Sequence, residues 1–202
     1  MKKKTSVLGL LIALFALTFI PQSTKAQLQE GNMMVGASLA DFGLDFQKGN
    51  TGFSMSISPR IGYFVKDNIA IGGIVKLGLN TQKNSTMFDY GIGAFGRYYF
   101  SDKDLEVLKS ARWFLEVDFG FNGRNTKVNS VSANTNGLGI GFGPGLAYFI
   151  TDNIALEGLL KYNITTGFGN STTNNRLGLN LGFQIYLPTK KVQSVVNDMR
   201  RN

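Results

Sequence analysis

Between Gly31 and Leu187 the chain changes character at every step, large apolar side chains alternating with small or polar ones. Successive side chains of an extended strand point to opposite faces, so a sustained period of two dictates strands with two chemically different surfaces. One run sends Trp113, Leu115, Val117, Phe119 and Phe121 one way and Phe114, Glu116, Asp118, Gly120 and Asn122 the other. The last run sets Leu177, Leu179, Leu181, Phe183, Ile185 and Leu187 against Arg176, Gly178, Asn180, Gly182, Gln184 and Tyr186. In a third, Gly137, Gly139, Gly141, Gly143 and Gly145 stand opposite Leu138, Ile140, Phe142, Pro144 and Leu146. Similar runs occur near residues 33–46, 52–64, 69–80, 87–100 and 154–168, which predicts eight strands. The first run changes phase at Ala40-Asp41, where a bulge is expected.

Which face is the interior decides the environment. A soluble sandwich or closed soluble barrel would bury the large apolar set and leave the other in water. That other set is dominated by Gly, Ser and Asn with isolated charges, and small residues suit the crowded inside of a narrow barrel. The large apolar set forms belts of the length that lipid-facing strands need. An even strand number with apolar-out alternation predicts an all-β, eight-stranded, antiparallel up-and-down transmembrane β-barrel over residues 27–187.

The first 26 residues read differently. Lys2, Lys3 and Lys4 precede an apolar run from Val7 to Ile20, Pro21 ends it, and Thr24-Lys25-Ala26 offers small residues at −3 and −1 for cleavage before Gln27. The run falls short of the roughly 20 apolar residues needed to span a bilayer as a helix. A removed secretory signal peptide at 1–26 is expected. Residues 188–202 remain as a basic tail on the periplasmic side.

Composition closes several routes. The absence of cysteine excludes disulfides, thiolate metal sites and thiol nucleophiles, and the absence of histidine removes the commonest general base and metal ligand. Asp and Glu are too sparse on the connections for a calcium cage, so no cofactor is expected. The net charge of +8 is mostly leader and tail; without them the barrel region is near +1. A nucleic-acid partner, which requires a basic face, is not expected. The G-x-G-x-x-G match Gly91–Gly96 lies inside a strand running on to Tyr98-Tyr99-Phe100, not between a strand and a helix, and reads as barrel glycines.

The chain also echoes itself. Pro59–Gly73 (PRIGYFVKDNIAIGG) and Pro144–Gly158 (PGLAYFITDNIALEG) agree at eight of fifteen positions, and Arg97–Asp102 is a weaker copy. Each places an aromatic pair at a strand end before an Asp-containing turn. Together with Tyr186 they make four marks for four hairpins, expected as an interfacial aromatic girdle on the periplasmic side. The opposite connections, Lys48–Thr51, Thr81–Thr86, Asn125–Ala133 and Gly169–Asn174, are rich in Asn, Thr, Ser and Gly. The longer Ser101–Ser110 connection has room for a short helix capped by Ser101 or Asp102.

Alternation projects a set of charges inward: Arg60, Lys76, Arg97, Lys161 and Arg176 with Asp89, Glu116, Asp118 and Glu157. Buried charges must pair or reach water. The expectation is a structural network plugging the lumen, with Glu116 and Glu157 as its main acids; a path for a solute or ion is the other reading.

With its alternating strands and repeated aromatic-turn marks, the chain resembles the small eight-stranded outer-membrane barrels of the OmpA/OmpX kind, in the broad outer-membrane β-barrel domain family, over about residues 28–187. The resemblance implies residence in the bacterial outer membrane, contact with its lipids, and insertion by the barrel-insertion machinery. Such barrels are recognised by a last strand ending in an aromatic; Phe183 and Tyr186 are the candidates, here followed by a tail. Outer-membrane barrel enzymes of the phospholipase, lipid A acyl-modifying and omptin types use histidine, which this chain lacks. A non-enzymatic barrel contributing envelope structure or presenting loops to partners is therefore expected. A small pore and a histidine-free lipid-modifying enzyme are the alternatives.

Overall fold

The computed structural model describes residues 28–47, 50–100, 110–129, 131–168 and 173–188. Eight strands follow one another: β1 (Met33–Gln47), β2 (Asn50–Lys66), β3 (Ile69–Gln82), β4 (Ser85–Tyr99), β5 (Ala111–Val128), β6 (Val131–Thr151), β7 (Ile154–Gly167) and β8 (Thr173–Leu187). Each pairs antiparallel with the next, and β1 pairs with β8, so the sheet closes into a barrel. The closing seam is the shortest ladder, seven residue pairs from Met33↔Leu187 to Leu39↔Leu181. The register of β1 shifts between Ala40 and Gly43, with Asp41 in a left-handed conformation (φ 57°). This is the bulge the phase change foretold.

The apolar set faces outward. Ile61, Ile71, Val75, Ile92, Leu115, Phe119, Ile140, Leu160, Leu177 and Leu181 are all exposed on the outer wall. Inside, none of the five β6 glycines leaves room for a side chain, a Cβ on Gly137 meeting the Thr166 carbonyl. A Cβ on Gly143 would meet the Leu160 carbonyl, on Gly145 the Phe114 ring, on Gly139 the Asn122 amide, and on Gly141 the Asp118 carboxylate. The glycine stripe is what lets charged and aromatic side chains from facing strands enter so narrow a lumen.

The internal echo is a repeated piece of geometry. At Pro59 and Pro144 the ladder to the following strand skips without losing register, since proline has no N–H to donate. Beyond each Tyr-Phe pair the register shifts by one residue, and a two-residue Asp-Asn turn follows: Asp67-Asn68 and Asp152-Asn153. Asn68 supplies a positive φ of 65°, which Asn tolerates better than most residues.

Two expectations need correction. The outer connections are shorter than their composition suggests. Thr81–Thr86 contracts to Lys83-Asn84, and Asn125–Ala133 to the two residues after Val128, because pairs such as Asn125↔Asn134 continue the ladder. At these strand ends both faces are exposed, so alternation fades while pairing persists. The aromatic marks, in turn, are not purely a girdle. Tyr63 and Tyr98 point outward, but Phe64, Tyr99, Phe149 and Tyr186 are buried inside. Adjacent residues on a strand face opposite ways, so each pair serves both surfaces. The predicted leader, the helix in 101–109 and the tail from 189 onward lie outside the described residues.

Candidate functional site

The inward side chains form three layers. At the end of the barrel that carries the chain termini is an aromatic floor. Tyr99, Tyr186, Phe64, Phe114 and Met34 are fully buried there, with Phe149 beside them. Ring centroids lie 5.5 Å apart for Tyr99–Phe114, 5.9 Å for Phe64–Tyr99 and 5.1 Å for Phe149–Tyr186, ordinary separations for packed aromatics. Leu28, preceding β1, also packs into this cluster. Its carbonyl accepts from the Asn68 N–H at 2.7 Å, tying the N-terminal segment to the β2–β3 turn.

Above the floor sits the charged layer. Arg97 on β4 is its centre. Its Nη2 and Nε donate to Glu116 Oε2 at 2.6 and 3.0 Å, and its Nη1 donates to Glu157 Oε1 and Oε2 at 2.8 and 2.9 Å. The same Nη1 donates to Tyr99 Oη at 2.9 Å, and the guanidinium lies 4.0 Å from the centroid of the Phe114 ring. Tyr186 Oη donates to Glu157 Oε1 at 2.9 Å and is 2.8 Å from Tyr99 Oη. Charge layer and floor are thus one hydrogen-bonded body.

Glu116 on β5, buried, serves three cations: besides Arg97 it accepts from Arg60 Nη1 at 2.7 Å and Lys161 Nζ at 3.1 Å. Arg60 Nη2 donates on to Ser38 Oγ at 2.7 Å. Asp118, two residues along the same face of β5, pairs with Lys161 and with Lys76 Nζ, the latter at 2.6 Å. The structure thus brings together Arg60, Lys76, Arg97, Lys161, Glu116, Asp118 and Glu157. Carboxylates shared among several donors satisfy more of their lone pairs than isolated pairs would.

Arg176 and Asp89, also projected inward, do not join this layer. Arg176 pairs with Asp41 across the top of the β1–β8 seam, and Asp89 with Arg124 at 2.6 Å, both among exposed side chains. They lie toward the strand ends opposite the chain termini, where parity still aims them inward but water reaches them. Alternation assigns the side of the wall and says little about depth. The same parity that placed Arg97 and Gln184 inside places Tyr99 and Tyr186 inside, two residues further along, and would have found the floor.

The third layer is space. A cavity of about 540 Å³ occupies the outer half of the lumen, with Arg60, Lys76 and Lys161 on its bottom and Tyr90, Asn122, Asn136 and Asn163 among its walls. Among the described residues no cluster of three or more acidic side chains is arranged to hold a metal ion.

Neisserial surface protein A shares 18% identity, over 78% of this chain and 96% of its own, with a TM-score of 0.49. The N-terminal barrel of Pseudomonas aeruginosa OprF shares 13%, over 79% and 98%, at 0.48, and P. aeruginosa OprG 11%, over 80% and 98%, at 0.46. No curated relative matches the chain. The family described as outer membrane protein beta-barrel domain matches residues 12–190. With that match spanning nearly all of a closed eight-stranded barrel girdled by apolar side chains, the chain belongs to the outer membrane protein beta-barrel domain family and is an outer-membrane protein.

Proposed function

We propose that the protein is a non-enzymatic outer-membrane barrel whose inner half is a fixed plug, contributing envelope structure and presenting its outer hairpins to partners. The observation that carries this reading is Arg97. It is held by two carboxylates and a tyrosine directly over a packed aromatic floor, and every charged side chain of that layer is ion-paired. A solute crossing here would have to break several charge-assisted bonds and part the Tyr99–Tyr186 contact. Membrane lipids act as the solvent for the apolar belt, and export through a cleaved leader with insertion by the barrel machinery completes the proposal.

The pore alternative draws support from the outer cavity, which already opens half of the lumen, so the Arg97 layer and the aromatic floor beneath it are what would need to move. Planar-bilayer recording with purified protein tests the point. No sustained conductance is expected; a steady open channel would replace the plug with a path. Unchanged lipid A and phospholipid masses in a deletion strain are expected, and a missing modification would revive the lipid-modifying alternative.

A further inference from the structure

We propose that the outer cavity is a binding cup for a small anionic solute, a phosphorylated or carboxylated sugar, whose anionic group is taken by Lys76 above Arg60 and Lys161. The first support is charge. The buried layer gathers four cations, Arg60, Lys76, Arg97 and Lys161, around three carboxylates, Glu116, Asp118 and Glu157. One positive charge within this group is left without an equal and opposite one, a costly state where water is scarce.

The second support is where each sign faces. Arg60, Lys76 and Lys161 line the cavity, while the three carboxylates lie behind them and do not. Lys76 is the only member with substantial side-chain exposure, 26%, against 4% or less for the others. A solute at the bottom of the cavity therefore meets ammonium and guanidinium groups and no carboxylate. The acids at the rim, Asp41 and Asp89, are each held by an arginine, Arg176 and Arg124, and offer little competing negative charge. A low-dielectric wall around charge of one sign concentrates counter-ions.

The third support is the wall. Asn122, Asn136 and Asn163 present amides, each both donor and acceptor, and Tyr90 Oη donates to Asn136 Oδ1 at 2.9 Å beside them. Groups of that kind suit hydroxyls, which also donate and accept. A volume of about 540 Å³ lies within the range of small-molecule sites and admits a single sugar phosphate, not a folded protein or an extended polymer. The proposal does not depend on whether the floor beneath conducts.

Titration of ¹⁵N-labelled protein in detergent micelles tests it, with glucose 6-phosphate, glucuronate, inorganic phosphate and glucose as probes. Glucose 6-phosphate and glucuronate should shift the amides of Gly78, Asn122, Asn136 and Asn163, phosphate should do so more weakly, and glucose should not. Binding should weaken as salt is raised. Lys76→Gln should reduce affinity about tenfold, the loss of one charge-assisted contact, while Lys76→Arg retains it and Lys66→Gln, at the other end of the barrel, changes nothing. If Lys76→Gln does not fold, Asn163→Ala serves instead, weakening the sugar phosphate and leaving inorganic phosphate unaffected. The proposal is overturned if no anion shifts these amides, if glucose shifts them equally, or if both Lys76→Gln and Asn163→Ala bind like the parent.

Discussion

Removing Glu116 tests the plug where it is most heavily loaded. In Glu116→Ala, Lys161 keeps Asp118 and Arg97 keeps Glu157. Arg60 is the loser: it retains the hydroxyl of Ser38 and the face of Phe95, whose centroid is 5.5 Å away, but no carboxylate. Stranding one buried cation costs about 3–5 kcal/mol in a dry interior. Arg60 also borders the outer cavity, so water can reach part of it and the lower end, about 3 kcal/mol, is expected. Urea unfolding in lipid vesicles, followed by the migration difference between folded and unfolded bands, measures the loss. Adding Arg60→Met to Glu116→Ala removes the stranded charge and should recover most of it, a non-additivity that reports direct coupling. A loss below about 1 kcal/mol, or a double variant no better than the single, would refute the claim that these charges hold the lumen together.

Further outcomes follow from the same structure. Unboiled protein should migrate differently from boiled protein in SDS gels, because a closed barrel leaves no free strand edge for detergent to invade; coincident bands would point to an open sheet. Gly145→Val should cost about 1–3 kcal/mol by driving a side chain into the Phe114 ring, whereas Gly178→Ala, whose new methyl meets nothing within 4 Å, should be near neutral by the same urea assay. Tyr186→Phe removes the hydroxyl shared with Glu157 and Tyr99 and should lower stability by about 1–2 kcal/mol, read from the unfolding midpoint. Intact mass of membrane-extracted protein should correspond to a chain beginning at Gln27, and a retained leader would contradict the export reading.

The fold was legible because one signal specified it throughout. Parity along runs such as Trp113–Asn122 assigns lipid and lumen faces, and the phase change at Ala40-Asp41 marks the bulge. Parity alone does not give depth along the barrel axis, since it is the same at every height; only a central position in the strand singles out Glu116 and Glu157. Arg176 and Asp89 share the inward parity of Arg97 and Glu116, although they end in separate exposed pairs. The floor was missed for a different reason. An aromatic at a strand end suggests the headgroup level, and only the partner's parity distinguishes Tyr98, facing out, from Tyr99, facing in. Which acid serves which base depends on stagger between strands that are distant in sequence, as with Arg97 and Glu157, and no local pattern encodes it.

The seam between β1 and β8 has a kinetic consequence. Every other ladder joins neighbours in sequence, but this one joins residues near 36 to residues near 184 and offers the fewest pairs in return. Its closure carries the greatest loop entropy for the smallest number of hydrogen bonds, so it should form last as the chain assembles and part first under strain. Above Leu39 the described residues show no β1–β8 pairing, and the Asp41–Arg176 ion pair spans the two strands there instead. That exposed contact bridges the top of the barrel's last-fastened edge, and folded barrels should begin to open there and not in the tightly bonded interior.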